Sequence, residues 1–214
     1  MAFLKPWPKK SIAVCIKLRR MFSLPNLLTW LRILAIPLLI LIFLTPDTLL
    51  PWTIKTRNIV ATTVFTAAAI TDWFDGYLAR KMNLMSPFGA FLDPVADKLL
   101  VCSALIVLLD MERVNSIVAL IIIGREITIS ALREWMANMG ERNQVAVSTI
   151  GKYKTGFQMV GIPMLLYNDK WFGWMDWIRL GHWLVWIASA LTVWSMVVYL
   201  KHAWPFLQKG SEER

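Results

Sequence analysis

The chain runs to 214 residues, of which 57% are hydrophobic and 17% charged, with 12 Trp and a formal charge of +9. This composition excludes disorder, and apolar runs of about 18 residues that recur along the whole length exclude an ordinary soluble domain, which needs polar residues to cover its core. The expected class is all-α, a polytopic membrane protein in which basic loops report topology and contact with anionic membrane lipids, not nucleic acid.

Residues 1–20 hold six Lys or Arg and no acid. They have no apolar stretch long enough for a secretory leader, so they read as a basic, amphipathic cytoplasmic tail or as an extension ahead of a start at Met21. A membrane domain follows over 21–204, with six spans expected at about 27–45, 58–79, 91–110, 115–136, 150–167 and 180–203. Pro46-Asp47 and Asn168-Asp169-Lys170 punctuate them, and 205–214 form a polar tail. Fifteen of the 23 Lys and Arg fall in the tail, the 80–90 loop, the 133–154 region and the C-terminus, against five in the alternate loops. That asymmetry places both termini in the cytoplasm. Trp residues gather near span ends, as interfacial anchors do. Cys15 and Cys102 lie far apart with no Cys/His cluster, so neither a disulfide framework nor a zinc site is expected.

The second and third spans meet at TDWFDGYLARKMNLMSPFGAFLDPVADK, residues 71–98, which carries Asp72, Asp75, Asp93 and Asp97. One charge at mid-bilayer costs about 2.5–3.5 kcal/mol even on the lenient insertion scale, so four would approach ~10 kcal/mol without compensation. Asp72, Asp75, Gly76, Ala79 and Arg80 fall within an arc of about 140° on one helix face. Gly89, Asp93 and Asp97, spaced by four, form a stripe on the next helix, and the short 81–88 connection predicts that the two helices are antiparallel neighbours. Convergent carboxylates repel unless a cation joins them, and oxygen ligands without His or Cys favour Mg²⁺ or Mn²⁺ in a two-metal clamp suited to a diphosphate. The plainer alternative is a set of interhelical ion pairs in which Lys98, Arg80 and Arg32 neutralise the acids.

The pattern D-x2-D-G-x2-A-R-x8-G-x3-D-x3-D is met at every fixed position from Asp72 to Asp97. In this the chain resembles the CDP-alcohol phosphotransferases. SLPNLLTWLR (23–32), GREITISALREWM (124–136) and GKYKT (151–155) are similar to the bacterial branch of that family that uses sn-glycerol 3-phosphate as acceptor. The resemblance implies an integral enzyme of a bacterial inner membrane, with its active site facing the cytoplasm, that moves a phosphatidyl group from CDP-diacylglycerol to glycerol 3-phosphate and releases CMP. It implies two metal ions, one held by Asp72, Asp75 and Asp93 and one by Asp72, Asp93 and Asp97, with Asp97 also the general base. Asn26, Thr29, Gly76, Ala79 and Arg80 would border the CDP-lipid, and a homodimer is implied. The acceptor is an anion, which calls for cations near the aspartates: Arg125, Arg133, Lys152 and Lys154, with Arg32 as a further candidate. Other acceptors, namely inositol phosphate, serine or phosphatidylglycerol, stay open within the family. A cation transporter is the rival from a different class, although its path would spread polar residues through the bilayer depth.

Overall fold

The computed structural model describes residues 24–82, 87–138, 149–169 and 176–212. The expectations for residues 1–20 lie outside these. Every regular element among the described residues is an α-helix: α1 Leu24–Leu44, α2 Ile54–Met82, α3 Pro87–Asp110, α4 Ser116–Asn138, α5 Thr149–Tyr167 and α6 Trp177–Glu212. Each expected span therefore lies on a helix, to within a residue at its ends, and α6 continues past residue 203, through Pro205, to Glu212.

All six helices contribute to one core, with Leu39, Phe65, Leu105, Ile122, Leu165 and Val185 at its centre. The outside is apolar as well. Leu31, Leu34, Leu38 and Leu41 of α1, Ile117, Leu120 and Ile127 of α4, and Trp183, Trp186 and Trp194 of α6 are exposed. A water-soluble bundle does not carry apolar surface on this scale, whereas lipid suits it. Among the described residues, only α6 over Trp177–Lys201 is by itself long and apolar enough to cross a membrane; Thr29–Leu44 is a shorter apolar run. The remaining helices mix charged and hydroxyl-bearing residues into their apolar sequence, which lowers their hydropathy without shortening them.

Arginines tie the bundle together at the end remote from the aspartates. Helix α3 closes with Glu112 at φ 57°, where the Arg113 N–H reaches the Leu108 carbonyl at 2.8 Å and the Glu112 N–H reaches that of Leu109 at 3.0 Å. This is a Schellman closure with a left-handed residue after the helix. It delivers the Arg113 side chain to the C-terminal carbonyls of α5, donating to Leu166 O at 2.9 Å and Leu165 O at 3.3 Å, and to Asn58 Oδ1 of α2 at 2.9 Å. Carbonyls left unpaired at a helix end thus gain a charged donor. Burial pushes the Arg113 guanidinium down from its ordinary pKa. Arg57 acts similarly on the end of α1, donating to Phe43 O at 3.4 Å, and it also ties down the following loop through Asp47 Oδ1 at 2.7 Å and Leu50 O at 3.2 Å.

The short connection predicts α2 and α3 side by side, and Asp72 and Asp97 do meet at one Arg32 nitrogen. Among the described residues the two helices share few further contacts, while α1 packs extensively against both and joins them. The closest pair is α5 with α6. A Cβ on Gly161 would stand 2.9 Å from Val185 Cγ2, 3.1 Å from Leu184 Cβ and 3.3 Å from the Gly181 carbonyl, so small residues set the approach of these helices.

Two glycines of α5 should therefore behave differently. Gly161→Val overfills the crossing and is expected to destabilise the protein by about 1–3 kcal/mol. At Gly156 an added Cβ meets nothing within 4 Å, so Gly156→Ala is expected to be neutral or stabilising by up to about 1 kcal/mol. Thermal unfolding in detergent, monitored by tryptophan fluorescence, checks both, and equal midpoints for the two variants would refute the crossing as the controlling contact.

Candidate functional site

Two charged clusters form at the bundle end where α1, α3 and α5 begin and α2 and α4 finish. In the first, Thr29 and Arg32 are one turn apart on α1, and Asp93 and Asp97 one turn apart on α3. Both helices start at this end, so the pairs meet rung by rung. The Thr29 hydroxyl donates to Asp93 Oδ1 at 2.5 Å, and Arg32 Nη1 donates to Asp97 Oδ1 at 2.5 Å. The same Arg32 nitrogen lies 2.9 Å from Asp72 Oδ1, which brings in α2 from the other side. The guanidinium side chain is fully buried, while the carboxylates of Asp72 and Asp97 keep 38% and 36% of their exposure. Among the described residues one cation, Arg32, lies with three acids, which leaves them with an excess of negative charge and an open side.

Some of the expected site residues fall short of a full description. Asn26 lies on α1, Asp75, Gly76, Ala79 and Arg80 on α2, and Lys152 on α5, but the side chains of these residues lie outside the described set. Among the described residues no three His, Cys, Asp or Glu side chains gather closely enough to hold an ion. Arg32, grouped by sequence with the acceptor's cations, sits instead among the aspartates. The ion pairing weighed as the plainer alternative is thus present at Arg32, and it neutralises only part of the charge.

The second cluster joins α4, α5 and α6. Arg125 and Glu126 are adjacent on α4, with Arg125 Nη1 3.0 Å from Glu126 Oε1, and the Lys154 ammonium of α5 is bonded to the same carboxylate oxygen. Arg125 Nη2 donates to Ser195 Oγ of α6 at 3.3 Å, and two turns further along α4 Arg133 Nη2 donates to the Tyr199 hydroxyl at 3.2 Å. The Tyr199 ring also lies beneath both guanidinium groups, at 5.9 Å from Arg125 Cζ and 5.4 Å from Arg133 Cζ. Arg125 and Lys154 are buried and Arg133 is exposed, so the cluster opens at its Arg133 edge. Among the described residues Arg125 and Lys154 share the Glu126 carboxylate while Arg133 pairs with the neutral Tyr199, an imbalance opposite in sign to that of the first cluster.

The structure thus brings Arg125, Arg133 and Lys154 together, as an anion site requires. Sequence reasoning passed over Glu126 as more than a pairing partner, and it missed Ser195 and Tyr199. A signal existed: Ser189, Thr192, Ser195 and Tyr199 recur at spacings of three and four within an apolar helix, and all four are buried.

Beside the acid cluster, an apolar groove of about 230 Å³ runs between α1 and α2, lined by Leu31, Leu34, Leu38, Val64, Ala68 and Thr71, with Arg32 at its upper end. A second apolar cavity, of about 300 Å³, lies at the opposite end of the bundle between Ile59, Thr62, Met164 and Trp177, away from both charged clusters.

The sequence profile of the CDP-alcohol phosphatidyltransferases matches residues 22–194. The chain is 48% identical over 190 residues to the CDP-diacylglycerol–glycerol-3-phosphate 3-phosphatidyltransferase of Pseudomonas fluorescens, covering 87% of this chain and 92% of that protein. It is 46% identical over 186 residues to the proteins of the same name from Escherichia coli K12 and Shigella flexneri, covering 85% of this chain and 95% of each of those.

Removing the guanidinium that Asp72 and Asp97 share leaves two acids facing each other. Arg32→Met is expected to cost about 1–3 kcal/mol of stability, less than a fully buried pair would because both carboxylates are partly open. A lowered unfolding midpoint in metal-free detergent solution checks this. An unchanged midpoint would mean that packing alone seats α1.

Proposed function

The chain belongs to the CDP-alcohol phosphatidyltransferase family, and on that premise we propose that it transfers the phosphatidyl group of CDP-diacylglycerol to sn-glycerol 3-phosphate, yielding phosphatidylglycerophosphate and CMP in phospholipid biosynthesis. The observation that carries this reading is the presence, at one end of one bundle, of aspartates short of cations and of cations short of anions. The names of the relatives from Pseudomonas and Escherichia support the choice of substrates.

Divalent metal dependence is general in this family. The residues fit such ions: the donors are hard carboxylate oxygens, and they carry more negative charge than Arg32 cancels. Asp72, Asp75 and Asp93 would hold one ion and Asp72, Asp93 and Asp97 a second, Mg²⁺ or Mn²⁺. Bound there, the ions would neutralise the diphosphate and stabilise the departing CMP.

The chain's own groups do the rest. Asp97, its Oδ1 held by Arg32, takes the proton of the acceptor hydroxyl as that oxygen attacks the β-phosphorus. A new P–O bond forms while the bond to the CMP oxygen breaks, and no covalent enzyme intermediate is needed. Arg125, Arg133 and Lys154, with Lys152, hold the acceptor's phosphate through charge-assisted hydrogen bonds. Thr29, Asn26, Gly76, Ala79 and Arg80 border the CDP moiety. The groove between α1 and α2 gives an acyl chain an apolar path that ends beside the reacting phosphates.

In this reading the chain threads a bacterial inner membrane six times and works as a homodimer. Both charged clusters lie at the end of the bundle where α1, α3 and α5 begin, the side to which the sequence assigns fifteen of the 23 Lys and Arg, and in this reading the site and both termini face the cytoplasm. Glycerol 3-phosphate and CMP, both water-soluble, then enter and leave on that side.

CMP release by the solubilised protein with CDP-diacylglycerol and Mg²⁺ tests the proposal. Release is expected with glycerol 3-phosphate and not with serine or inositol phosphate. It is expected to stop on chelation and return with Mg²⁺, and to fall at least about 100-fold in Asp97→Asn. Release with a different acceptor would move the enzyme to another branch of the family. Full activity in Asp97→Asn would remove that residue as the base.

A further inference from the structure

Tyr199 stands out because it gathers positive charge without cancelling any. It is 5% exposed, on α6, with the Arg125 and Arg133 guanidinium carbons 5.9 and 5.4 Å from its ring centre and its hydroxyl accepting from Arg133 Nη2 at 3.2 Å. Glu126, the one carboxylate bonded into this cluster among the described residues, is engaged by Arg125 and Lys154, so Arg133 is held here by a neutral partner. Two guanidinium groups on one ring repel each other, and an aromatic face offsets only part of that repulsion. A carboxylate at this position would hold Arg133 more strongly but would compete with any arriving anion. The ring instead fixes the direction and spacing of the two arginines and leaves the cluster with two unmatched positive charges, the complement of a phosphomonoester dianion.

The geometry points to Tyr199 as a positioning residue that sets the selectivity of the basic pocket for a phosphomonoester over an uncharged alcohol. It acts through Arg125 and Arg133 and not on the reacting atoms. This rests on the reading of Arg125, Arg133 and Lys154 as the acceptor's phosphate site. A phosphate reaching the pocket has two sources, the acceptor and the CDP-lipid, and kinetics with each substrate varied in turn separates them.

The test uses the full-length solubilised protein with Mg²⁺, comparing the parent chain with Tyr199→Leu, Tyr199→Phe and Arg125→Gln. Loss of two ring–guanidinium contacts in Tyr199→Leu is expected to raise KM for glycerol 3-phosphate about tenfold. Its kcat should change by less than about threefold and its KM for CDP-diacylglycerol by less than about twofold. Tyr199→Phe keeps the ring and loses one hydrogen bond, so its acceptor KM should rise about threefold, and it decides the matter if the leucine variant does not fold. Inorganic phosphate, as a competitor of glycerol 3-phosphate, should weaken in parallel. The proposal is overturned if both variants keep the parental acceptor KM, or if KM for CDP-diacylglycerol rises in step with it. If Arg125→Gln raises the acceptor KM and the tyrosine variants do not, only the role of Tyr199 falls. If Arg125→Gln leaves that KM unmoved, the acceptor-site reading falls and takes this proposal with it.

Discussion

Charge inside an apolar bundle has to be compensated locally, and the rest of the structure is arranged around the point where α1 does this. Arg32, fully buried, reaches Asp72 of α2 and Asp97 of α3 with one nitrogen, while Thr29 holds Asp93 one turn away. Five side chains from three helices thereby converge within about one helical turn. Without this anchor, α2 and α3 would present Asp72 and Asp97 to each other with no guanidinium between them. The anchor is also incomplete, because one guanidinium does not balance three carboxylates. A site that satisfied all its charges internally would have no affinity for a cation.

The second cluster repeats this logic with the signs reversed. Glu126 draws Arg125 and Lys154 together, Tyr199 and Ser195 steady the two arginines, and positive charge remains unmatched. Metal ions and a diphosphate at the first cluster and a phosphomonoester at the second would complete both balances. On the proposed reading the protein supplies fixed partial compensation, and its ligands would supply the remainder. Such preorganisation avoids rearranging dipoles during the reaction.

The opposite end of the bundle has another task. Arg113 and Arg57 donate to helix-end and loop carbonyls and to polar side chains. Together with the close approach of α5 and α6 at Gly161, they make that end a rigid base from which the charged end is held. Arginine thus caps helix-end carbonyls at one end of the bundle and lies among carboxylates or beside an aromatic ring at the other.

The amino-acid sequence by itself determined the helices, their approximate limits and the face each aspartate occupies, because helical periodicity and apolar run length are local properties of the chain. It also determined the aspartate motif, since Asp72, Asp75, Asp93 and Asp97 stand at spacings that few other demands on a membrane helix would produce. The tertiary structure decided which side chains meet. It packed α1 against both aspartate helices, and it set Arg32, grouped by sequence with the acceptor's cations, among the acids. It also brought Tyr199 from α6 to Arg125 and Arg133 of α4, across 66 residues in the case of Arg133. Spacing along a chain reports neighbours on the same helix. Partners on different helices depend on how side chains of particular sizes interlock, as at Gly161 and Gly181, and that information resides in the packed bundle, not in any one segment.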